Sequence, residues 1–197
     1  MQPSAETSSR ARVVLAGTAP EFLHDTAEAL SAVGHLVVGQ ASSGPELAGL
    51  LEALKPALLV VSMGLPDWPP EAIAEAGRRL ALVAVGTART ADELAPLLAL
   101  PIHAYLLQPV TGAQVAAASA FALRLFQEQE GLRGDSARLQ TTLANRKIIE
   151  RAKGILMRNH RWSEPEAFRR LQRGAMNRRV PMADLARQIL DGQDVDL

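Results

Sequence analysis

The first 110 residues alternate two kinds of pattern. Short apolar runs rich in β-branched residues recur at 12–16 (RVVLA), 36–38, 58–61 (LLVV), 82–85 (LVAV) and 104–107 (AYLL), which predicts five strands. Between them lie helix-favouring stretches at 21–32, 45–54, 71–79 and 91–98, and another begins near Thr111. Apolar strands separated by helices predict a parallel sheet with both faces covered and right-handed crossovers.

From Gly112 the pattern is helical for a long way. Leu125, Leu132 and Leu139 fall seven apart and Leu143 four later, one side of a heptad seam whose companions Gln129 and Ser136 are polar. Gly131 and Gly134 each cost a helix interior about 1 kcal/mol, so either one long helix, acting as a weak coiled coil, or a helix–loop–helix hinged at 131–135 fits the residues. The last 50 residues predict three short helices. The first has Ile148, Ala152, Ile155 and Leu156 on its apolar face. The second is capped by Ser163 with Glu166 closing a capping box, and buries Ala167, Phe168, Leu171 and Ala175. The third carries Met182, Leu185, Ala186 and Ile189, with Gly192 placed to end it.

Composition is that of an ordinary globular protein, and the 21 basic residues balance the 21 acidic ones. The balance hides an asymmetry. Residues 1–122 hold 6 basic and 11 acidic residues, residues 123–197 hold 15 and 10, and the 50 positions 138–187 hold 13 and 4. A basic C-terminal segment points to an anionic partner. The absence of cysteine excludes thiolate metal sites, iron–sulfur clusters and a thiol nucleophile. The first 17 residues read as a short loose arm without signal-peptide features. The apolar stretch 94–110 is broken by Pro96, Pro101 and His103, so a soluble, cytoplasmic chain with no membrane contact is expected. His24, His35, His103 and His160 show no metal-ligand spacing and read as surface or loop residues. No phosphate loop, nucleophile elbow or paired carboxylates appear, and neither enzyme activity, cofactor nor metal is expected.

The strand–helix half resembles the receiver domains of two-component response regulators, which implies a flavodoxin-like α/β domain of five parallel strands. Where receivers carry an acidic pair after the first strand, this chain has Gly17, Thr18 and Ala19. Ser62, four residues before Pro66, stands at the phosphoacceptor position, and Gln108 replaces the lysine before Pro109. Without these charges a phosphoryl group and Mg²⁺ have no site, so the domain reads as a pseudo-receiver with a protein-docking role.

The run from Leu143 to Leu190, containing RKIIERAKGILM, SEPEAF and AM, resembles the ANTAR domain, an RNA-binding antiterminator module. The layout implied is a pseudo-receiver over 1–121, a coiled-coil linker over 122–145 and a three-helix ANTAR bundle over 146–197, as in AmiR/NasT-like regulators. The resemblance implies a homodimer that binds stem-loops of leader mRNA and prevents terminator formation. It also implies control by a ligand-sensing repressor of the AmiC/NasS type rather than by phosphorylation.

Lys147, Arg151 and Arg158 recur on one helical face, followed by Arg169, Arg170 and Arg173, and guanidinium groups bind phosphates and stack on unpaired bases. The RNA contacts expected are Arg146, Lys147, Arg151, Lys153, Arg178 and Arg179, with Ala152 and Gly154 allowing close approach. Trp162 reads as a hydrophobic staple rather than a base-stacking group. Two alternatives stand beside this one. One is a DNA-binding response regulator with a terminal helix-turn-helix, against which the 174–180 connection counts as too long; the other is a protein-interaction adaptor.

Overall fold

A computed structural model describes residues 10–192. Five strands, β1 (Arg12–Ala16), β2 (Leu36–Ala41), β3 (Leu58–Ser62), β4 (Ala81–Gly86) and β5 (Ala104–Leu107), form one sheet in the order β2-β1-β3-β4-β5, and every pairing is parallel. Crossovers are made by α1 (Pro20–Ala32), α2 (Gly44–Leu54), α3 (Pro70–Arg79) and α4 (Ala91–Leu98). Strand alternation divides the core into two layers. Val14, Ala16, Leu59, Val61, Leu82 and Ala84 pack with Leu47 of α2 and Ile73 of α3. Val13, Leu15, Leu58, Val60, Val83 and Val85 face the other way, onto Leu30 of α1 and Val115, Ala118 and Ala122 of α5 (Gly112–His160). The apolar residues of the central strands β1, β3 and β4 are buried as expected, whereas β2 and β5 are edges and stay partly exposed.

The 49-residue α5 runs through Gly131 and Gly134 without a break, which settles the hinge question in favour of one helix. The first of the three C-terminal helices is therefore the end of α5, followed by α6 (Glu164–Arg178) and α7 (Met182–Leu190). The chain forms two compact units, divided between Glu130 and Gly131. In the second, Ala152 and Leu156 of α5, Ala167, Leu171 and Ala175 of α6, and Leu185, Ala186 and Ile189 of α7 make one core.

Several local expectations are corrected. The Ser163 side chain makes no cap bond; its carbonyl accepts from the Ala167 amide at 2.9 Å, and Glu166 pairs with Arg170 one turn on. A complete capping box forms instead at Thr90 and Glu93. Phe168 is 37% exposed at the flank of the bundle, because the buried stripe of α6 runs through Ala167, Leu171, Gly174 and Ala175. His35 is buried behind the turn at Gly34, and His103 is half-buried, its Nδ1 accepting from the Leu82 amide at 3.2 Å. Gly192 has φ +76 and ends α7 as expected, while of the 17-residue arm expected at the N-terminus, Arg12–Ala16 form β1 inside the sheet and residues 1–9 lie outside the described residues. No helix of the described residues is long and apolar enough to cross a membrane.

Candidate nucleic-acid interface

The carboxyl edge of the sheet shows what became of the receiver-like site. Ser62 ends β3, and a methyl group added at Gly17 would lie 3.4 Å from the Ser62 Cβ and 3.1 Å from the Phe22 ring. An aromatic ring and a hydroxyl thus occupy the neighbourhood where carboxylates would be needed for a cation. Gln108 follows β5, its amide donating to the Gly86 carbonyl at 2.8 Å, and lines a cleft of about 460 Å³ with Phe22, Asp25 and Val110. Among the described residues no cluster of three or more His, Asp or Glu side chains is placed to hold a metal ion.

The C-terminal unit carries the opposite chemistry. Ile148, Ala152, Ile155 and Leu156 turn the apolar side of α5 onto α6 and α7, so at 100° per residue Lys147, Glu150, Arg151, Gly154 and Arg158 fall on the outward side. Lys147, Arg151 and Arg158 are exposed, as is Arg146 at the edge of that face. Leu143, Arg146, Lys147, Glu150 and Arg151 line a shallow concavity of about 490 Å³. Cations raised from a helix backbone, around a floor with apolar character, suit a phosphodiester chain with unpaired bases.

The structure divides the expected contact residues. Ala152 is fully buried, so its small size serves the approach of the bundle helices, not of a ligand. Lys153 is only 7% exposed, and its Nζ lies 2.9 Å from both Glu150 Oε2 and Glu164 Oε1 and 5.9 Å from the centre of the Phe168 ring. Hydrogen bonds to Glu150 and then Glu164 raise its pKa, and Lys153 in turn lowers that of Glu164. The lysine ties α5 to the start of α6. It also draws the Glu150 carboxylate toward the bundle edge and neutralises the acidic group of the basic face. Gly154 has open space where a side chain would be.

Arg178 and Arg179 sit at the end of α6, Arg179 in the left-handed conformation with φ +55 that glycine adopts more readily. Trp162 packs against the bundle core, with the His160 ring stacked on it at 4.3 Å and the Arg170 guanidinium also 4.3 Å from its centre. This stack was not legible from spacing, since its members come from α5, the connection and α6.

The connection expected over 174–180 is shorter than the sequence suggests and no longer than a helix-turn-helix turn, because α6 continues through Gly174 to Arg178 and leaves only the three residues 179–181 before α7. The side chains of α7 still argue against a helix-turn-helix. Ala183, Leu185, Ala186 and Ile189 are buried, and Arg187 is engaged by Asp184 and by Asn145 Oδ1 at 2.9 Å, which leaves little with which to read base edges.

Comparisons with known proteins agree with this division. Residues 137–190 match the ANTAR domain. The sheet unit superposes on the signal receiver domain of the putative response regulator NarL from Mycobacterium tuberculosis, with a TM-score of 0.53 and 21% identity over 58% of this chain and 97% of that one. A receiver domain of a putative Luxo repressor protein from Vibrio parahaemolyticus gives 0.55 at 15% identity, over 62% of this chain and 97% of that one. The Aliphatic amidase regulator of Pseudomonas aeruginosa is 32% identical over 57% of this chain and 63% of its own. The Transcriptional regulatory protein PdtaR of M. tuberculosis is 34% identical over 190 residues, 95% of this chain and 93% of that protein. At that identity and coverage, the chain belongs to the family of ANTAR-domain transcriptional regulators that includes PdtaR, with a receiver-like domain preceding its ANTAR domain.

Proposed function

We propose that this regulator is a transcription antiterminator that acts in the cytoplasm by binding stem-loops in a leader mRNA and so preventing a terminator hairpin. The observation that carries the reading is the outward face of α5, where Lys147, Arg151 and Arg158 are held clear of the bundle core and Arg146 flanks them. Arg179 extends the basic surface at the end of α6. RNA is favoured over duplex DNA because α7 offers so little for the major groove, whereas guanidinium groups on an open helix face suit phosphates and splayed bases.

Leu132 and Leu139 are exposed on one side of α5, and a second copy of the chain pairing along this stripe supplies the second ANTAR domain. Tethering two RNA contacts raises avidity without any new contact. Control falls to a ligand-sensing partner protein that docks on the receiver-like domain, because Gly17, Ser62 and Gln108 supply none of the charges phosphoryl transfer needs. Similarity to the Aliphatic amidase regulator is in keeping with a small-molecule signal.

The test is RNA affinity across a salt series for single variants at Lys147, Arg151 and Arg158. Each alanine is expected to weaken binding and lower the salt slope by about one. Unchanged affinity and slope in all three would remove the assignment.

A further inference from the structure

Glycine is a poor choice inside a helix unless something has to come close to the backbone. In several places this chain has such a reason within itself. A Cβ at Gly44 would lie 1.9 Å from the Asp67 carbonyl oxygen, one at Gly77 2.1 Å from that of Pro101, and one at Gly112 2.6 Å from the Ala29 Cβ. Gly154 has none: nothing comes within 4 Å of the position its Cβ would take.

Openness by itself is not a signal, since Gly131 and Gly134 of the same helix are equally open. Gly154 differs in where it points. It lies near the middle of the outward face, one turn after Arg151 and Glu150 and one turn before Arg158, so it makes a notch in the ring of long side chains. Gly131 and Gly134 point the other way, about 140° and 160° around the axis from Gly154, so neither shares the face of Lys147, Arg151 and Arg158. The Glu150 carboxylate, the acidic group beside the notch, is held by Lys153 at 2.9 Å.

We infer that Gly154 is the point where an unpaired nucleotide of the bound RNA lies directly against the main chain of α5, with Arg151 and Arg158 on the phosphates to either side. The inference rests on the RNA-binding reading above and adds a contact distance to it. Main-chain amides in the helix interior are already bonded, so the contact is one of shape: a base or ribose fills the notch and brings its phosphates within reach of both guanidinium groups. Arg158 becomes as important as Arg151, and any side chain at position 154 holds the nucleotide off.

The experiment uses the full chain and a fluorescent two-hairpin RNA, with variants G154A, G131A, G134A, R151A and R158A. All three glycine variants gain helix preference with no steric clash, and each thermal midpoint is expected to rise by about 2–4 °C. G154A alone among them is expected to bind RNA at least about tenfold more weakly, as R151A and R158A do. A methyl group that raises stability and lowers affinity cannot act through misfolding.

Wild-type affinity in G154A with weakened R151A and R158A would overturn the inference and leave the RNA reading in place. Failure of the wild-type chain to bind the RNA would overturn both. An altered dimer dissociation constant in G154A, with RNA affinity per dimer unchanged, would assign the notch to the second copy of the chain and overturn the RNA contact.

Discussion

In the sheet unit the glycines and small residues answer to the chain's own packing: Gly44 and Gly77 sit where a methyl group would overlap a backbone carbonyl. In the C-terminal unit several choices run against what the chain alone prefers, with open glycines inside α5 and Arg179 in a conformation suited to glycine. Charge shows the same contrast. The receiver-like unit keeps the frame of five parallel strands and has replaced the chemistry at Gly17, Ser62 and Gln108, whereas the ANTAR unit spends a minimal core on presenting cations. Function therefore has to be read from the groups at a site, since the fold that is easier to recognise here carries Gly17, Ser62 and Gln108 where its chemistry would use charged groups.

The sharpest break of that comparison is in stability. G44A or G77A is expected to cost about 3 kcal/mol, because each methyl meets backbone that has little room to move. G131A in α5 is expected to gain up to about 1 kcal/mol. Chemical denaturation read separately for each unit checks both signs. Equal small effects at all three positions would erase the distinction.

Next in size is pairing of the leucine stripe. Leu132 and Leu139 are 71% and 66% exposed, so aspartates there leave the fold intact. The double variant L132D/L139D is expected to be monomeric by sedimentation and to lose about 10- to 100-fold in affinity for two-hairpin RNA while keeping that for one hairpin. A dimer that survives the change would place the interface elsewhere.

R179G relieves the left-handed arginine, and is expected to stabilise the ANTAR unit by about 0.5–1 kcal/mol while weakening RNA binding a few-fold. Thermal melts and anisotropy on one preparation check the two together.

The smallest effect is a pH dependence confined to the sheet unit. Burial lowers the pKa of His35 below its ordinary 6.5, so below that pH the unfolded chain binds the proton more readily than the folded one. Stability of this unit is therefore complete above about pH 6.5 and declines as pH falls below it. H35Q is expected to flatten that slope. The Lys153–Glu164 pair behaves differently. The lowered Glu164 pKa gives the ANTAR unit stability that is lost only as pH falls below the ordinary carboxylate range, and the raised Lys153 pKa gives stability lost only in strong alkali.

Much of this was legible in the sequence. The strand positions, the crossover helices and the outward basic face follow from local periodicity and from residue types at fixed spacing, while the uncharged residues at Gly17, Ser62 and Gln108 gained meaning only through the resemblance to receivers. The strand at Leu36 runs on to Ala41, beyond its apolar run, because β1 continues to pair with it past Gly39. What was hidden depended on neighbours distant in sequence. Lys153 stands at the boundary of the apolar face of α5, and only the arrival of Glu164 eleven residues later turns it inward as a tie. Phe168 has the hydrophobicity of a core residue but lies beside the buried stripe of α6, near the Lys153 ammonium. The residues at 174–180 look like a loop because they include Gly174 and Asn177, yet α6 runs on to Arg178 with Gly174 buried in its inward stripe.

The central claim is that the basic face of α5 recognises hairpin RNA. It is tested most directly by fluorescence anisotropy of the full chain against a two-hairpin leader RNA, a single hairpin and a duplex DNA of equal length, across a salt series. The account expects tightest binding to the two-hairpin RNA, with affinity falling steeply as salt rises. Equal, weak binding to all three would contradict it and leave the arginines as generic positive charge.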